Sequence, residues 1–268
     1  MADTAVVVVG VDGAQDGVRA ALWAAHEAVR LSLPATVVHV REYRALLLPR
    51  DERAVLDAEA EKVVAEAVAA MRTTAPDLDV RSRALDGSAI ERLEELSGGA
   101  SVLVVGCRGR GGFVRLTLGW VAEQVVQRSR APAVVVHEGG EQSGPVTVGI
   151  DAHRDAAAAL DFAFAQAMAG SRTLTAHHGI AVPPGVLPPF ESPGDGPRVP
   201  PEEMVAAALA PWRQRYPEVA VTVSVRVGSP AAHLVEASAR SSLVVLGRHL
   251  GAVTAQVTRH ASGPVAVV

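Results

Sequence analysis

The chain has 268 residues, which fits two domains of roughly 135 residues, each long enough to bury a hydrophobic core. The formal net charge of −4 excludes the basic footprint expected of a nucleic-acid-binding protein. The single cysteine excludes an intramolecular disulfide and a cysteine-based zinc site, and no apolar run approaches the roughly 20 residues that a membrane span needs.

The N-terminal segment predicts a cytoplasmic protein, because MADTAVVVVGVDG has no basic region before an apolar stretch and a cleavage site. Within it, residues 4–11 form a continuous apolar run, which is typical of a strand buried on both faces. A helix is predicted over residues 15–32, where apolar side chains recur at helical spacing. These side chains are Val18, Ala21, Leu22, Ala25 and Val29.

The next residues continue to alternate strands and helices. Further strands are predicted at 35–41, 79–85, 101–106 and 132–137, and further helices at 52–73, 88–97 and 119–130. Five strands that alternate with four helices predict an α/β domain of the flavodoxin-like type, a doubly wound parallel sheet with right-handed crossovers. The segment 138–145 that follows has the composition of a linker.

This unit occurs twice in the chain. VVVVGVDG recurs as PVTVGIDA, so that Asp12 matches Asp151 at an offset of 139. The segment 87–106 recurs at an offset of 141, whereas Pro132 matches Pro264 at an offset of only 132. We therefore predict two flavodoxin-like, five-stranded domains in tandem, at 1–140 and 141–268, and the second lacks nine residues between its fourth strand and last helix.

The second copy contains two further features of its own. Residues 179–201 hold eight prolines, which oppose a helix or a central strand, so we expect a long loop before a helix near Glu202. A spacer is favoured over a functional lid there. His177, His178 and His153 could bind a metal, but no spacing enforces such a site, and solvated histidines are favoured.

A candidate binding site lies where the strand order reverses, between the first and fourth strands, because ligands of open parallel sheets bind beyond these carboxyl ends. Val11, Asp12 and Gly13 end the first strand of the first copy, and GCRGRGGFVRLTLGW follows the fourth. The glycines of this loop permit close backbone approach, and a helix N-terminus near Gly119 predicts an anion site. Arg108 and Arg110 can add charge-assisted contacts or form a solvated rim.

The loop carries a family resemblance. Gly106-x2-Gly109-x9-Gly119 reproduces the spacing of the ATP-binding motif of the universal stress protein family, and VVGVDG, VVGCRGRGGF and RAPAVVV are similar to its signature segments. The chain resembles a tandem member over essentially its whole length. The resemblance implies ATP with Mg, the base at Asp12 and Val40, and the phosphates at the three glycines. The full predicted set is Val11, Asp12, Gly13, Val40, Gly106, Arg108, Gly109, Gly119, Trp120 and Val121.

The sequence departs from the family motif at two places. Trp120 stands where the motif has Ser or Thr, and its indole can plug the phosphate site, swing outward or stack on a flat group. In the second copy RHLGAVTAQV follows Gly247, so most of the phosphate loop is missing although Asp151 remains. We therefore expect nucleotide binding in the first copy and a degenerate second copy.

Plainer interpretations remain open for individual residues. Asp12 can cap the following helix, Gly87 and Gly228 suit tight turns, and a lone Cys107 is usually inert. No Walker, nucleophile-elbow or zincin motif is present, and the glycine loop has no Lys. We therefore expect an adenine-nucleotide sensor in stress adaptation. The alternatives are a scaffold that acts through protein partners with Trp120 in the phosphate site, and an enzyme, at most a slow ATPase or a transferase of the wider adenine-binding α/β superfamily.

The resemblance also implies an assembly. In the family the last strands pair across a dimer interface, so residues 132–137 and 264–268 are expected to form an intramolecular pseudodimer. A homodimer of whole chains is compatible with that pairing. Neither nucleic acid nor a membrane is expected as a partner.

Overall fold

A computed structural model describes residues 5–41, 49–109, 118–151, 155–180 and 199–268. Arg110, Gly111, Gly112, His153 and most of the predicted loop at 179–201 lie outside the described residues. The chain forms two compact units, the first ending at Glu138 and the second beginning at Gly139. Within the described residues, no helix combines the length and apolar character needed to cross a membrane.

The first unit contains five strands in the order β3-β2-β1-β4-β5, and the four pairs are parallel. Its strands are β1 (Val6–Gly10), β2 (Ala35–Arg41), β3 (Val80–Asp86), β4 (Ala100–Gly106) and β5 (Ala133–Val136). Its helices are α1 (Gln15–Leu31), α2 (Arg50–Thr74), α3 (Ala89–Ser97) and α4 (Trp120–Arg128). The predicted flavodoxin-like sheet is confirmed.

The core of the first unit lies between the central strands and α1. Val7, Val8 and Val9 of β1 are buried on both faces, as the continuous apolar run predicts. The side of α1 that meets the sheet consists of small residues, which favour a helix and let it pack closely. These residues are Ala20, Ala21, Ala24, Ala25 and Ala28, all fully buried.

The second unit repeats this order as β8-β7-β6-β9-β10. Its strands are β6 (Val146–Gly149), β7 (Leu174–Ile180), β8 (Val221–Val227), β9 (Leu243–Leu246) and β10 (Val265–Val267). Its α-helices are α5 (Ala157–Ala169), α6 (Pro201–Arg215), α7 (Pro230–Ser238) and α8 (Ala252–His260), with a short 3₁₀ helix at Arg248–Leu250.

One boundary in the second unit differs from the prediction. Gly179 and Ile180 belong to β7, where they pair with Arg226 and Val227 of β8, rather than to a loop. The reason is that neither residue is a proline, so both keep the amide that a strand needs.

Candidate functional site

Asp12 lies directly beyond β1, at the point where the strand order of the first unit reverses. Its Oδ1 accepts a hydrogen bond of 3.0 Å from the Ala14 amide, which turns the chain into α1. Gly13 between them has a φ of 82°, a conformation that favours glycine. Asp12 therefore has a local structural role, and its Oδ2 is directed toward another part of the chain.

That part is the loop after β4. A Cβ atom on Gly109 would lie 2.5 Å from Asp12 Oδ2, so the backbone of Gly109 lies against the carboxylate, which would have to shift to admit a side chain. Gly119 is nearby, because its amide donates a 2.7 Å hydrogen bond to the Cys107 carbonyl. The fold thus brings Asp12 together with both ends of the glycine segment.

Gly106 has a different reason to be glycine. A Cβ atom there would lie 2.6 Å from the backbone carbon and oxygen of Asp16 in the first turn of α1. Since the clash is with backbone, helix packing accounts for this glycine without any ligand.

A buried ionic cluster, which the sequence interpretation missed, lies beside the loop. Asp16 is 6% exposed, and its Oδ2 accepts hydrogen bonds of 3.1 Å from Cys107 Sγ and from Arg108 Nε. Arg19 pairs with the other oxygen of Asp16 and also with Glu138 at 3.0 Å. Arg108 thus pairs with the Asp16 carboxylate, and its side chain remains partly exposed. The only signal in the sequence was an acid at the start of a helix.

The cluster determines the protonation of its members. Burial acts to raise the pKa of Asp16, but the hydrogen bonds from Cys107 and Arg108 and the charges of Arg108 and Arg19 outweigh it and lower the pKa. Burial, followed by the hydrogen bond to Asp16 and its negative charge, raises the pKa of Cys107 to about 11. The thiol is therefore protonated at neutral pH, in line with an unreactive cysteine.

Val40 lies near the carboxyl end of β2, where it pairs with Leu85 of β3. Its neighbour His39, which was not predicted as part of the site, holds the end of β1: its Nδ1 lies 2.8 Å from the Val11 carbonyl. Because a carbonyl can only accept, Nδ1 must donate, and Nε2 of a neutral ring is then an acceptor. His178 makes the same bond to Ile150 in the second unit, at 2.9 Å.

The helix that follows the glycine segment begins at Trp120, with Gly119 as its N-cap. Its first bond runs from the Glu123 amide to the Gly119 carbonyl, so the amides of Trp120 and Val121 precede the hydrogen-bonded turns. The Trp120 side chain is 67% exposed. This exposure agrees with the outward orientation among the three considered above; residues 110–117, which complete the loop, lie outside the described residues.

The corresponding loop of the second unit is short. The chain passes from Gly247 through the 3₁₀ helix directly into α8, and the Thr254 hydroxyl donates a 3.0 Å hydrogen bond to the Gly247 carbonyl. The histidines expected to be solvated are not: His177 and His178 are both buried. Among the described residues, no group of three or more His, Cys, Asp or Glu side chains is arranged to hold a metal ion.

Comparison with known proteins identifies the fold and its repetition. A model of the universal stress protein family matches residues 5–137 and again residues 143–268. A universal stress protein of Mycobacterium tuberculosis is 34% identical, and the match covers 97% of this chain and 96% of the relative. Another, from Mycolicibacterium smegmatis, is 31% identical over 98% of this chain and 96% of the relative.

Solved structures agree on the fold. A universal stress protein from Archaeoglobus fulgidus superposes with a TM-score of 0.75 and 16% identity, over 98% of this chain and 95% of that one. A putative universal stress protein from Pseudomonas aeruginosa gives a TM-score of 0.62 with 12% identity, over 99% and 93%. With two matched domains and relatives aligned along nearly their whole length, this chain belongs to the universal stress protein family as a tandem, two-domain member.

Proposed function

We propose that the first unit binds an adenine nucleotide, ATP with Mg²⁺ being the form that the motif implies, and that the protein is a nucleotide sensor in stress adaptation. The observation that carries this proposal is the contact between Gly109 and Asp12. A side chain at position 109 would collide with Asp12 Oδ2 at 2.5 Å, so the glycine keeps the loop backbone against the carboxylate assigned to the base.

The charges beside the loop suggest how the phosphates would be held. Arg108 is paired with Asp16 at 3.1 Å and lies 3.9 Å from Glu138, so its charge is already largely balanced. The phosphates would then depend on backbone amides, on the first turn of α4 and on a bound cation. Such a site suits binding rather than fast phosphoryl transfer, which needs a positioned cation at the transferring group.

Calorimetric titration of ATP with Mg²⁺ into the full chain tests the proposal. We expect about one site per chain, and Asp12→Ala should weaken binding at least tenfold, the size expected when a hydrogen bond involving a charged group is lost, roughly 1.5–3 kcal/mol. Asp151→Ala is the matched control, because Asp151 is the repeat equivalent of Asp12, and it should leave the affinity within about twofold. Gly109→Val should weaken binding, because the added side chain would displace the Asp12 carboxylate.

Trp120 gives a further test. Since its indole is directed outward, Trp120→Ser should restore the hydroxyl of the family motif and tighten ATP binding by up to about tenfold. No heat and no thermal shift at millimolar ATP would overturn the proposal.

A second candidate is a scaffold that acts through protein partners. It is favoured by the exposure of Trp120, 67%, next to Val121, 38%, because exposed aromatic residues are common anchors of interfaces. In this case Trp120→Ser should remove a captured partner while ATP binding stays absent in both proteins.

A further inference from the structure

Arg108 lies at the start of the loop that follows β4, close to the N-terminus of α4. A Cβ atom on Gly119, the N-cap of α4, would lie 3.6 Å from the Arg108 Cα atom and 3.7 Å from the Gly109 amide nitrogen. Helix N-termini attract anions because their first amides are not bonded within the helix. A cation at position 108 is therefore near enough to this helix end to affect the binding of an anion there.

The Arg108 guanidinium is divided between carboxylates and solvent. Its Nε donates a 3.1 Å hydrogen bond to Asp16 Oδ2, and a terminal nitrogen lies 3.9 Å from Glu138 Oε2. The side chain is still 43% exposed. Because a guanidinium has five N–H donors, these contacts leave donors for an anion, provided that the side chain can turn toward it.

Asp16 is a fixed negative charge that restrains this side chain. Its carboxylate is 6% exposed, Oδ2 also accepts a 3.1 Å hydrogen bond from Cys107 Sγ, and Oδ1 pairs with Arg19. Burial acts to raise the pKa of Asp16, but the hydrogen bonds from Cys107 and Arg108 and the two arginine charges outweigh it and lower the pKa. The carboxylate is therefore ionised at pH 7 and keeps its hold on Arg108.

This hold affects charged ligands more than neutral ones. The attraction between a guanidinium and a ligand is proportional to the ligand's charge and falls with distance, so a guanidinium kept on Asp16 contributes less to each phosphate than one released toward α4. The loss is larger for a triphosphate than for a monophosphate.

We propose that Asp16 is a positioning residue that sets the phosphate specificity of the first unit. By holding Arg108, it reduces the affinity that each additional phosphate brings, so that the site accepts AMP, ADP and ATP as one class rather than ATP alone. This inference rests on the proposed function, because it concerns the same adenine-nucleotide site.

Calorimetric titration of AMP and ATP into the full chain, without metal ions, tests the role of Asp16. The two affinities should lie within about threefold in the wild type, and Asp16→Asn, which removes the charge, should raise the ratio of ATP to AMP affinity about fivefold. The increase should shrink at 1 M salt, which screens charges but would not alter a purely structural effect. Asp16→Ser, which keeps an oxygen favoured at a helix start, should act in the same way and serves if the asparagine variant does not fold.

Two further variants show whether Asp16 acts through Arg108. In an Arg108→Gln background, Asp16→Asn should leave the ratio unaltered, because no guanidinium remains to be released. Asp155→Asn is the matched control, since Asp155 is the repeat equivalent of Asp16 and is exposed, with a 2.8 Å hydrogen bond from the Ala157 amide. It should leave both affinities unchanged.

Three results would overturn the role of Asp16 while leaving the nucleotide site intact. They are an unchanged ratio in Asp16→Asn, a lowered ratio, which would mean that Asp16 directs Arg108 onto the phosphates, and an increase that persists without Arg108. Failure of the proposed function is distinct, because neither AMP nor ATP would then give heat with the wild type or with any variant, and the role of Asp16 would be overturned with it.

Discussion

The two units share a strand order but differ at two equivalent positions, the start of the first helix and the loop after the fourth strand. Asp16 in the first unit is buried and holds Cys107 and Arg108, whereas its repeat equivalent Asp155 is exposed and accepts a 2.8 Å bond from the Ala157 amide at the start of α5. Between the fourth strand and the last helix, the first unit has a long glycine-rich segment, whereas the second has a single 3₁₀ turn. The comparison teaches that a repeated strand order can be kept while the side-chain contacts at the strand ends and the loop after the fourth strand change.

The largest expected difference concerns the glycines that end the fourth strands. Gly106→Ala should destabilise the protein by about 3 kcal/mol, since the new Cβ would lie 2.6 Å from the backbone of Asp16 and overpacking of this kind is costly. Gly247→Ala is the matched change: no atom lies within 4 Å of its Cβ, and its φ of −75° suits alanine. Its stability should stay within about 1 kcal/mol of the wild type, on the stabilising side.

Urea unfolding followed by circular dichroism measures both variants. Equal losses in the two would contradict the assignment of Gly106 to helix packing. If neither variant lowered the free energy of unfolding, α1 would have to be able to move away from β4 without loss of stability.

The second difference is a loss of stability between about pH 6.5 and 4 that arises from His177 of the second unit. The pKa of His177 is about 4 in the fold and 6.5 when unfolded, so between these values the unfolded chain binds a proton that the native chain does not. Stability is therefore complete above pH 6.5 and falls toward pH 4, by on the order of 2–3 kcal/mol. His233, Arg226 and His178 face this ring and act in the same direction as burial.

The first unit indicates which residue should replace His177. Val38 pairs with Gly10 as His177 pairs with Gly149, so His177→Val should remove this part of the acid loss. Stability measured at several values between pH 4 and 7 decides the matter. An unchanged slope in the variant would assign the proton to another group.

The smallest effect should be the same in both units. Ser88 accepts a 3.4 Å bond from the Glu91 amide at the start of α3, and Ser229 accepts a 3.3 Å bond from the Ala232 amide at the start of α7. Replacing either serine by alanine should cost about 1 kcal/mol, and Ser→Asp at the same position should keep the cap. A clear inequality between the two alanine variants, seen in the same unfolding experiment, would show that the caps are not equivalent.

The elements were predictable to within about two residues, for an identifiable reason. Buried parallel strands such as β1 and β4 are continuous apolar runs, and α1 and α3 show clear helical spacing, so local pattern and packing agree. The exception is Gly179 and Ile180. They were assigned to a loop because the segment 179–201 holds eight prolines, but both residues pair with β8.

The candidate site was less predictable than the fold. Asp12 could be located from the end of the first strand and the glycines from the family motif, but the bond between Arg108 and Asp16, 92 positions apart, could not be predicted. His177 and His178 were expected in solvent and are buried. Local patterns contain no information on contacts between distant segments, and ion pairs and buried imidazoles depend on such contacts.

The duplicated pattern of apolar runs and glycines is enough to specify two flavodoxin-like units and to locate their strand ends, because secondary-structure periodicity and chain connectivity are local properties. Which groups meet at those ends was decided only by the tertiary structure. Packing of α1 against β4 buries Asp16 with Cys107 and Arg108, and packing of α7 against β7 buries His177. Burial and charge at these contacts set the protonation states of Asp16, Cys107 and His177.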